Sequence, residues 1–284
     1  MASMRDIKIR RNSIQSTQKI TKAMKLVATA KLQKAKEKAA ETRPFFHKMH
    51  ETIGSILAQS QNISHPFLTE RDVKNRGYIV ITSNRGFAGG LNSNLVKLVS
   101  READPQHAKV VAIGKRGVDQ LRRNGFEVIK DYNEVIQQPM YRDAVNIGER
   151  LLDMYREGLI DEVYVAYTAF KSALTQEAML LKVLPVDIST FEANEVVTSD
   201  IMTYEPSAEE VLEQVIPKYI NSMIFGALRE SVASEHGARM TAMDSATENA
   251  SEMIDKLSLE YNRARQASIT QELSEIVGGA EALK

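Results

Sequence analysis

The stretch Asn84-Arg-Gly86-Phe-Ala-Gly89-Gly90-Leu-Asn-Ser93 lies between a short apolar run and an amphipathic segment, where a phosphate cradle would sit. Its glycines follow neither G-x-G-x-x-G nor the Walker spacing, so the plain reading is a tight strand-to-helix turn. Gly114-Lys-Arg-Gly117 is a similar and weaker signal. The five histidines are His47, His50, His65, His107 and His236. His47 and His50 share a helix face, and two imidazoles so placed can ligate a metal. No carboxylate or third histidine stands at ligand spacing beside them, so a solvated pair is expected. No H-E-x-x-H, G-x-S-x-G or Ser/His/Asp arrangement stands out. Pairs such as Asp161-Glu162 are expected at the edges of elements. Cysteine is absent, which removes disulfides, zinc ribbons, iron–sulfur clusters and thiol nucleophiles together. The expectation is no catalytic site, no metal and no cofactor.

The elements that carry these residues are bounded by composition. The chain has 284 residues, 43% hydrophobic and 26% charged, which excludes disorder. No apolar run approaches the ~20 residues of a membrane-spanning helix. Tryptophan is absent and aromatics make up only 6%, a share that suits long helices better than a large aromatic core. The net charge of zero hides an asymmetry: residues 1–48 hold 13 of the 37 bases and 3 of the 37 acids, a local charge of +10. Arg5, Lys8, Arg10, Arg11, Lys19, Lys22, Lys25, Lys31, Lys34, Lys36 and Lys38 surround this first segment on most faces. A basic end on an otherwise acidic chain suggests an anionic partner: nucleic acid, a membrane surface or an acidic protein. Nucleic-acid binding would favour interleaved aromatics or a compact recognition fold, and neither is present. Met1-Ala-Ser-Met-Arg-Asp-Ile7 leads straight into an amphipathic pattern, with no apolar signal-peptide region. That pattern continues past Ala40, so it reads as structure and not as a transit peptide.

Three zones follow. Residues 3–59 are rich in helix formers. Ile7, Ile14, Thr17, Thr21, Met24, Ala28 and Ala35 form a 3–4 spaced stripe, interrupted by Arg10 and Lys31 and widened by Ile20 and Val27. Pro44 should kink or end this helix; Gly54 and Asn62-Ile-Ser-His-Pro66 mark its exit. Across residues 76–203, apolar runs at 78–82, 109–113, 162–168 and 179–184 alternate with helical patterns at 92–101, 115–124 and 141–157. Such alternation predicts a mostly parallel sheet covered by helices. The third zone opens at Ser207-Ala-Glu-Glu210, a capping box. Pro217 should bend the helix. Met240, Met243, Thr247, Ala250, Ile254, Leu257, Tyr261, Ala264 and Ser268 then keep one seam until Gly278-Gly279.

Residues 207–277 would span roughly 100 Å as one straight helix, too long for a domain of this size, so the helix is expected to protrude. Its apolar seam needs burial, and the partner available is the helical zone at the other end. The seam residues are small, which makes a thin rod with little burial energy per residue. Ile269, Leu273, Ile276 and Val277 form an apolar end face that suggests insertion into a socket; the alternative is a local contact with the first helix. The expected fold class is α/β: a long antiparallel coiled coil of the N- and C-terminal helices (residues 1–59 and 207–284) plus a central Rossmann-like α/β domain (residues 76–203).

Three segments carry a family resemblance. Ile20-Thr-Lys-Ala-Met-Lys-Leu-Val-Ala28, Thr82-Ser-Asn-Arg-Gly-Phe-Ala-Gly-Gly-Leu-Asn92 and Tyr261-Asn-Arg-Ala-Arg-Gln-Ala-Ser-Ile-Thr-Gln-Glu-Leu-Ser-Glu-Ile-Val-Gly-Gly-Ala280 resemble, in order, the gamma subunit of F-type ATP synthases. The last segment is the most specific, and the likeness covers essentially the whole chain. The chain looks like the bacterial form, lacking both a transit segment and the cysteine-bearing insertion of chloroplast relatives. Many relatives carry a cysteine where Ala88 stands here.

The resemblance implies a rotor shaft that performs no bond chemistry. It would turn inside a ring of alpha and beta subunits, with its lower part touching the epsilon subunit and the ring of membrane c subunits. Proton flow would drive the turning, at the cytoplasmic face of a bacterial membrane. It implies contacts of Lys22, Met24 and Lys25 with the lower ends of beta subunits, contacts of Arg265 and Gln266 with a loop of the ring, with Thr270 and Glu272 nearby, and a further partner contact at Arg10. It also implies that a lysine in place of Met24 impairs coupling. No nucleic acid and no small-molecule substrate are expected. The reading that competes with it is a nucleic-acid- or membrane-binding coiled coil using the basic first helix.

Overall fold

The computed structural model describes residues 4–59, 65–187, 205 and 207–282. The part of the expected α/β domain at 188–203 lies outside them, as do residues 62–64 of the expected helix exit. The elements in chain order are α1 (Met4–Gln59), β1 (Arg76–Ile81), α2 (Leu91–Glu102), β2 (Ala108–Ile113), α3 (Lys115–Arg123), β3 (Glu127–Asp131), a 3-10 turn (Val135–Gln137), α4 (Tyr141–Arg156), β4 (Glu162–Phe170), β5 (Gln176–Leu184) and α5 (Ala208–Ala282). They fall into two compact units: Met1–Ala28 with Met240–Lys284, and Thr29–Arg239. Both long helices contribute to both units.

In the Thr29–Arg239 unit the five strands are ordered β3-β2-β1-β4-β5. β1 runs parallel to β2 and β4, and β2 runs parallel to β3. Only β5 is antiparallel, paired to β4. Alternation along β1 explains the two-sided core. Ile79 and Ile81 join α4, α5 and the end of α1 on one face, where Ile53, Ile56, Ile147 and Leu212 are fully buried. Tyr78 and Val80 meet α2 and α3 on the other face, with Leu95, Val99 and Leu121. A sheet covered on both sides needs strands that are apolar throughout, as Tyr78-Ile-Val-Ile81 is. β3 escapes a search for such runs because Glu-Val-Ile-Lys-Asp is an edge strand with charged ends.

One sequence expectation changes, the end of the first helix. Pro44 does not end α1, which continues to Gln59 with Gly54 inside it. An internal proline costs about 3 kcal/mol. Full burial of Ile53 and Ile56 returns about 1.5–3 kcal/mol each, and Phe46 stacks on Tyr219 at 5.6 Å. Pro217 likewise lies within α5, between the buried Ile216 and Tyr219. At the start of α5 the expected cap is present: the Glu210 N–H donates to Ser207 Oγ at 3.2 Å.

Candidate functional site in the paired terminal helices

In a doubly wound sheet, ligands sit at the carboxyl ends of the strands where the strand order reverses. Here that point lies between β1 and β4. The loop after β1 is tied up internally. Ser83 N–H donates to Asn92 Oδ1 at 2.9 Å, Asn92 Nδ2 to Ser83 Oγ at 2.8 Å, and Ser83 Oγ to the Arg85 carbonyl at 2.7 Å. Gly114 opens α3 with a φ of +89°, and a β-carbon there would lie 2.1 Å from the Thr82 carbonyl oxygen. The Gly117 N–H, which a phosphate would need, donates to Thr82 Oγ1 at 2.9 Å. α5 reaches the same end of the sheet: Ser234 Oγ donates to the Thr168 carbonyl at 2.9 Å, and Arg239 Nη2 to the Gly86 carbonyl at 3.3 Å. Both glycine motifs are therefore structural turns.

His47 is exposed, and the other four histidines each have neighbours on the chain. His50 lies against Phe46 and Tyr219, and burial, with His47 nearby, lowers its pKa. His65 accepts from the Phe67 N–H and faces Glu213 at 3.2 Å; burial lowers its pKa while Glu213 opposes that. His107 sits 2.7 Å from Asp104. Burial, with Arg239 and Lys31 nearby, holds His236 down at about 4. Among the described residues, no group of three or more potential ligands is placed to hold a metal.

The unit formed by Met1–Ala28 and Met240–Lys284 presents the surface of interest. Its helix segments run antiparallel, since Arg11 lies over the Tyr261 ring at 5.4 Å, Thr21 meets Thr247, and Lys25 pairs with Asp244. On α5 the buried side follows the expected seam: Met243, Ala250 and Leu257 are buried, and Thr247, Ile254, Tyr261, Ala264 and Ser268 half-buried. On α1 the seam differs. Ile7, Thr21 and Ala28 are buried and Ile14 half-buried, as expected, but Arg11, Gln18 and Lys25 occupy the intervening positions. Thr17 faces out. Ile20 and Val27 do not widen the seam; they are 60% and 56% exposed.

Those two residues belong to a second line. Ile9, 59% exposed, precedes Ile20 by 11 residues, and Val27 follows it by 7. At about 100° per residue, both spacings return within roughly 20° of whole turns. The result is an apolar stripe on the flank of α1, accompanied in this unit by exposed Arg5 and Lys19. At the other end of the unit, Ile269, Leu273, Ile276 and Val277 are 48% to 69% exposed, so a local contact with α1 is not what covers them.

The residues implicated by the family resemblance all carry accessible surface. Arg10 and Lys22 are exposed, and Met24 and Lys25 half-buried, Lys25 held by Asp244. Arg265, Gln266, Thr270 and Glu272 are exposed on α5. Thr270 Oγ1 donates to the Gln266 carbonyl at 2.9 Å, and Glu272 Oε1 accepts from Ser268 Oγ at 3.2 Å. Lys22, Met24 and Lys25 lie together on the latter half of the α1 segment, and Arg265, Gln266, Thr270 and Glu272 near the end of α5. Arg10 stands apart from the first group, next to Arg11, which lies over Tyr261. The flank stripe is absent from the sequence-based set, although its 11- and 7-residue spacing was readable.

A thin antiparallel two-helix coil whose exposed flank and end are apolar, with a doubly wound domain whose crevice its own helix reaches, defines a stalk-type subunit. The family model described as ATP synthase matches residues 3–283. The chain is 53% identical to the ATP synthase gamma chain of Lachnoclostridium phytofermentans, covering 100% of each. It is 47% identical to that of Alkaliphilus metalliredigens, and 44% identical to the sodium-ion-specific gamma chain of Acetobacterium woodii, with 99% of each chain covered in both cases. The central stalk and c-ring structure of Tetrahymena thermophila mitochondrial ATP synthase contains a chain 26% identical, with a TM-score of 0.60 over 80% of this chain and 99% of that one. A rotor chain of the Euglena gracilis mitochondrial enzyme, 18% identical, shares the fold with a TM-score of 0.66 over 94% of this chain and 98% of that one. The chain belongs to the ATP synthase gamma chain family, the central-stalk subunits. Among its described residues no helix is long and apolar enough to cross a membrane.

Proposed function

We propose that this chain is the rotor shaft of a proton-translocating ATP synthase, itself without catalytic chemistry. It couples rotation of a membrane c-ring to sequential changes in the catalytic beta subunits, and runs in reverse during ATP hydrolysis. Its partners are the alpha and beta subunits of the catalytic hexamer, the epsilon subunit and the c-ring. It is a peripheral protein at the cytoplasmic face of a bacterial cell membrane.

The observation that carries this reading is the exposed apolar surface of the two-helix unit. Ile269, Leu273, Ile276 and Val277 form an uncovered end face on a coil that needs none of them for its own seam. Apolar contact is non-directional, so such a face suits a bearing with no preferred angle. The flank stripe, with its neighbouring lysines and arginines, suits partners that are apolar and acidic. Exposed ion pairs are worth about 0–1 kcal/mol each, so Arg10, Lys22 and Lys25 can exchange partners step by step. A fully buried pair, costing about 3–5 kcal/mol to break, would hold one angle. Arg265, Gln266, Thr270 and Glu272 line the upper contact in this reading, and Met24 lies at the lower one.

The test is reconstitution with the alpha–beta hexamer of the same enzyme. The chain should co-purify with the hexamer and be required for cooperative ATP turnover. Turnover that is equally cooperative with and without it would overturn the reading.

A further inference from the structure

Arg239 and Glu235 form an ion pair of 2.7 Å one turn apart on α5, with side chains only 11% and 12% exposed. On a solvated helix such a pair contributes little, and burying it costs desolvation. What burial adds here is a third partner: the same Arg239 nitrogen donates to the Gly86 carbonyl at 3.3 Å. Two residues earlier on the helix, Gly237 brings α5 against the opposite arm of the crevice. A β-carbon there would lie 3.1 Å from Gln176 Nε2 and 3.4 Å from the Phe170 ring. One turn of α5 therefore engages the β1–α2 loop on one side and the β4–β5 hairpin on the other, in the crevice where other doubly wound proteins hold a ligand. The loop it grips carries Phe87, which is 72% exposed and held at a φ of +62°, a region an aromatic residue seldom adopts.

We propose that Arg239 is a positioning residue: it substitutes for a ligand in the switch-point crevice and locks the loop of residues 83–90 onto α5, so that Phe87 moves with that helix as one body. Glu235 orients the guanidinium, and Gly237 permits the close passage. The inference concerns the chain by itself and does not depend on the rotor reading.

The chain contains no tryptophan, so Phe87→Trp introduces a single fluorophore at the loop apex. Its time-resolved anisotropy in the full-length chain reports nanosecond motion of the loop. With Arg239 present, the indole should tumble with the whole protein. Adding Arg239→Gln should raise the amplitude of local motion of the indole, and the urea midpoint read from helical circular dichroism should fall, because Glu235 is left buried without its cation. The anisotropy is therefore compared well below the unfolding transition of either chain. Arg239→Lys keeps a cation and a donor within reach of Glu235 and Gly86 and should restore most of the order. If Arg239→Gln unfolds the chain, the Arg239→Lys and Glu235→Gln variants are ranked instead, with the larger motion expected for Glu235→Gln. Unchanged anisotropy in a folded Arg239→Gln chain, or the opposite ranking of the other two, would overturn the proposal.

Discussion

The hydroxyl oxygens of Thr21 and Thr247, 226 positions apart in the chain, lie 2.8 Å from each other within the helix pair. Each hydroxyl has a single proton, so one of the pair donates to the other. The acceptor of that bond gives its own proton to a carbonyl on its own helix, Met243 at 2.7 Å for Thr247 or Gln18 at 3.1 Å for Thr21. This hydroxyl–hydroxyl contact across the seam discriminates between registers, because a slip of one helix along the other breaks it. Thr21→Val and Thr247→Val should each destabilise the chain by about 1 kcal/mol, and the double variant by less than their sum. A double-mutant cycle in urea measures the coupling; strict additivity would show that the hydroxyls do not interact.

The apolar end face separates stability from function. Replacing Leu273 and Ile276 by Ser should leave the melting temperature of the isolated chain nearly unchanged, since exposed positions typically shift stability by less than about 0.5 kcal/mol. The same variant should turn over ATP more slowly in the reconstituted hexamer. A large drop in melting temperature would mean that these residues support the coil and not a partner.

Met24→Lys places a third cation beside Lys22 and Lys25 on the half-buried border of the seam. Added positive charge should strengthen one contact with acidic partner residues at the expense of the others. ATP hydrolysis should then persist while proton pumping falls, as measured by acridine-dye quenching in vesicles. A parallel loss of both activities would point to failed assembly.

His236 predicts a pH slope. Burial, together with the positive charge of Arg239 and Lys31, lowers its pKa from 6.5 to about 4. The unfolded chain therefore takes up the proton first as pH falls. The stability linked to this group is complete above 6.5 and drains away toward 4, by up to about 1 kcal/mol per pH unit. His236→Gln removes the titration, so its urea midpoint should fall less steeply than the parent's across that window. Equal slopes would exclude a depressed pKa.

The parallel sheet was legible because Tyr78-Ile-Val-Ile81 and its counterparts are buried on both sides and so are apolar throughout. β3 was not, since an edge strand needs only Val128 and Ile129 to face inward. The α5 seam could be read residue by residue, but only half of the α1 seam could. Arg11, Gln18 and Lys25 fill core-side positions by laying long stems along the partner helix and keeping their polar ends in reach of water or of a partner. A hydrophobicity pattern therefore passes over them and selects the exposed Thr17, although it does find the half-buried Met24. Pro44 and Pro217 both stand inside continuous helices, where tertiary burial on both sides offsets the local penalty. The crevice was misleading in sequence for a related reason: its occupant, Arg239, lies 153 residues from Gly86.

The α1 seam returns at Ile7, Ile14, Thr21 and Ala28, a repeat of 7 where two undistorted turns of helix take about 7.2 residues. Helices that keep such a repeat in contact must coil around each other in a left-handed sense. A left-handed pair is not mechanically symmetric. Twisting it one way winds the strands tighter, and twisting it the other way spreads them, so its torsional stiffness depends on the direction in which it is driven.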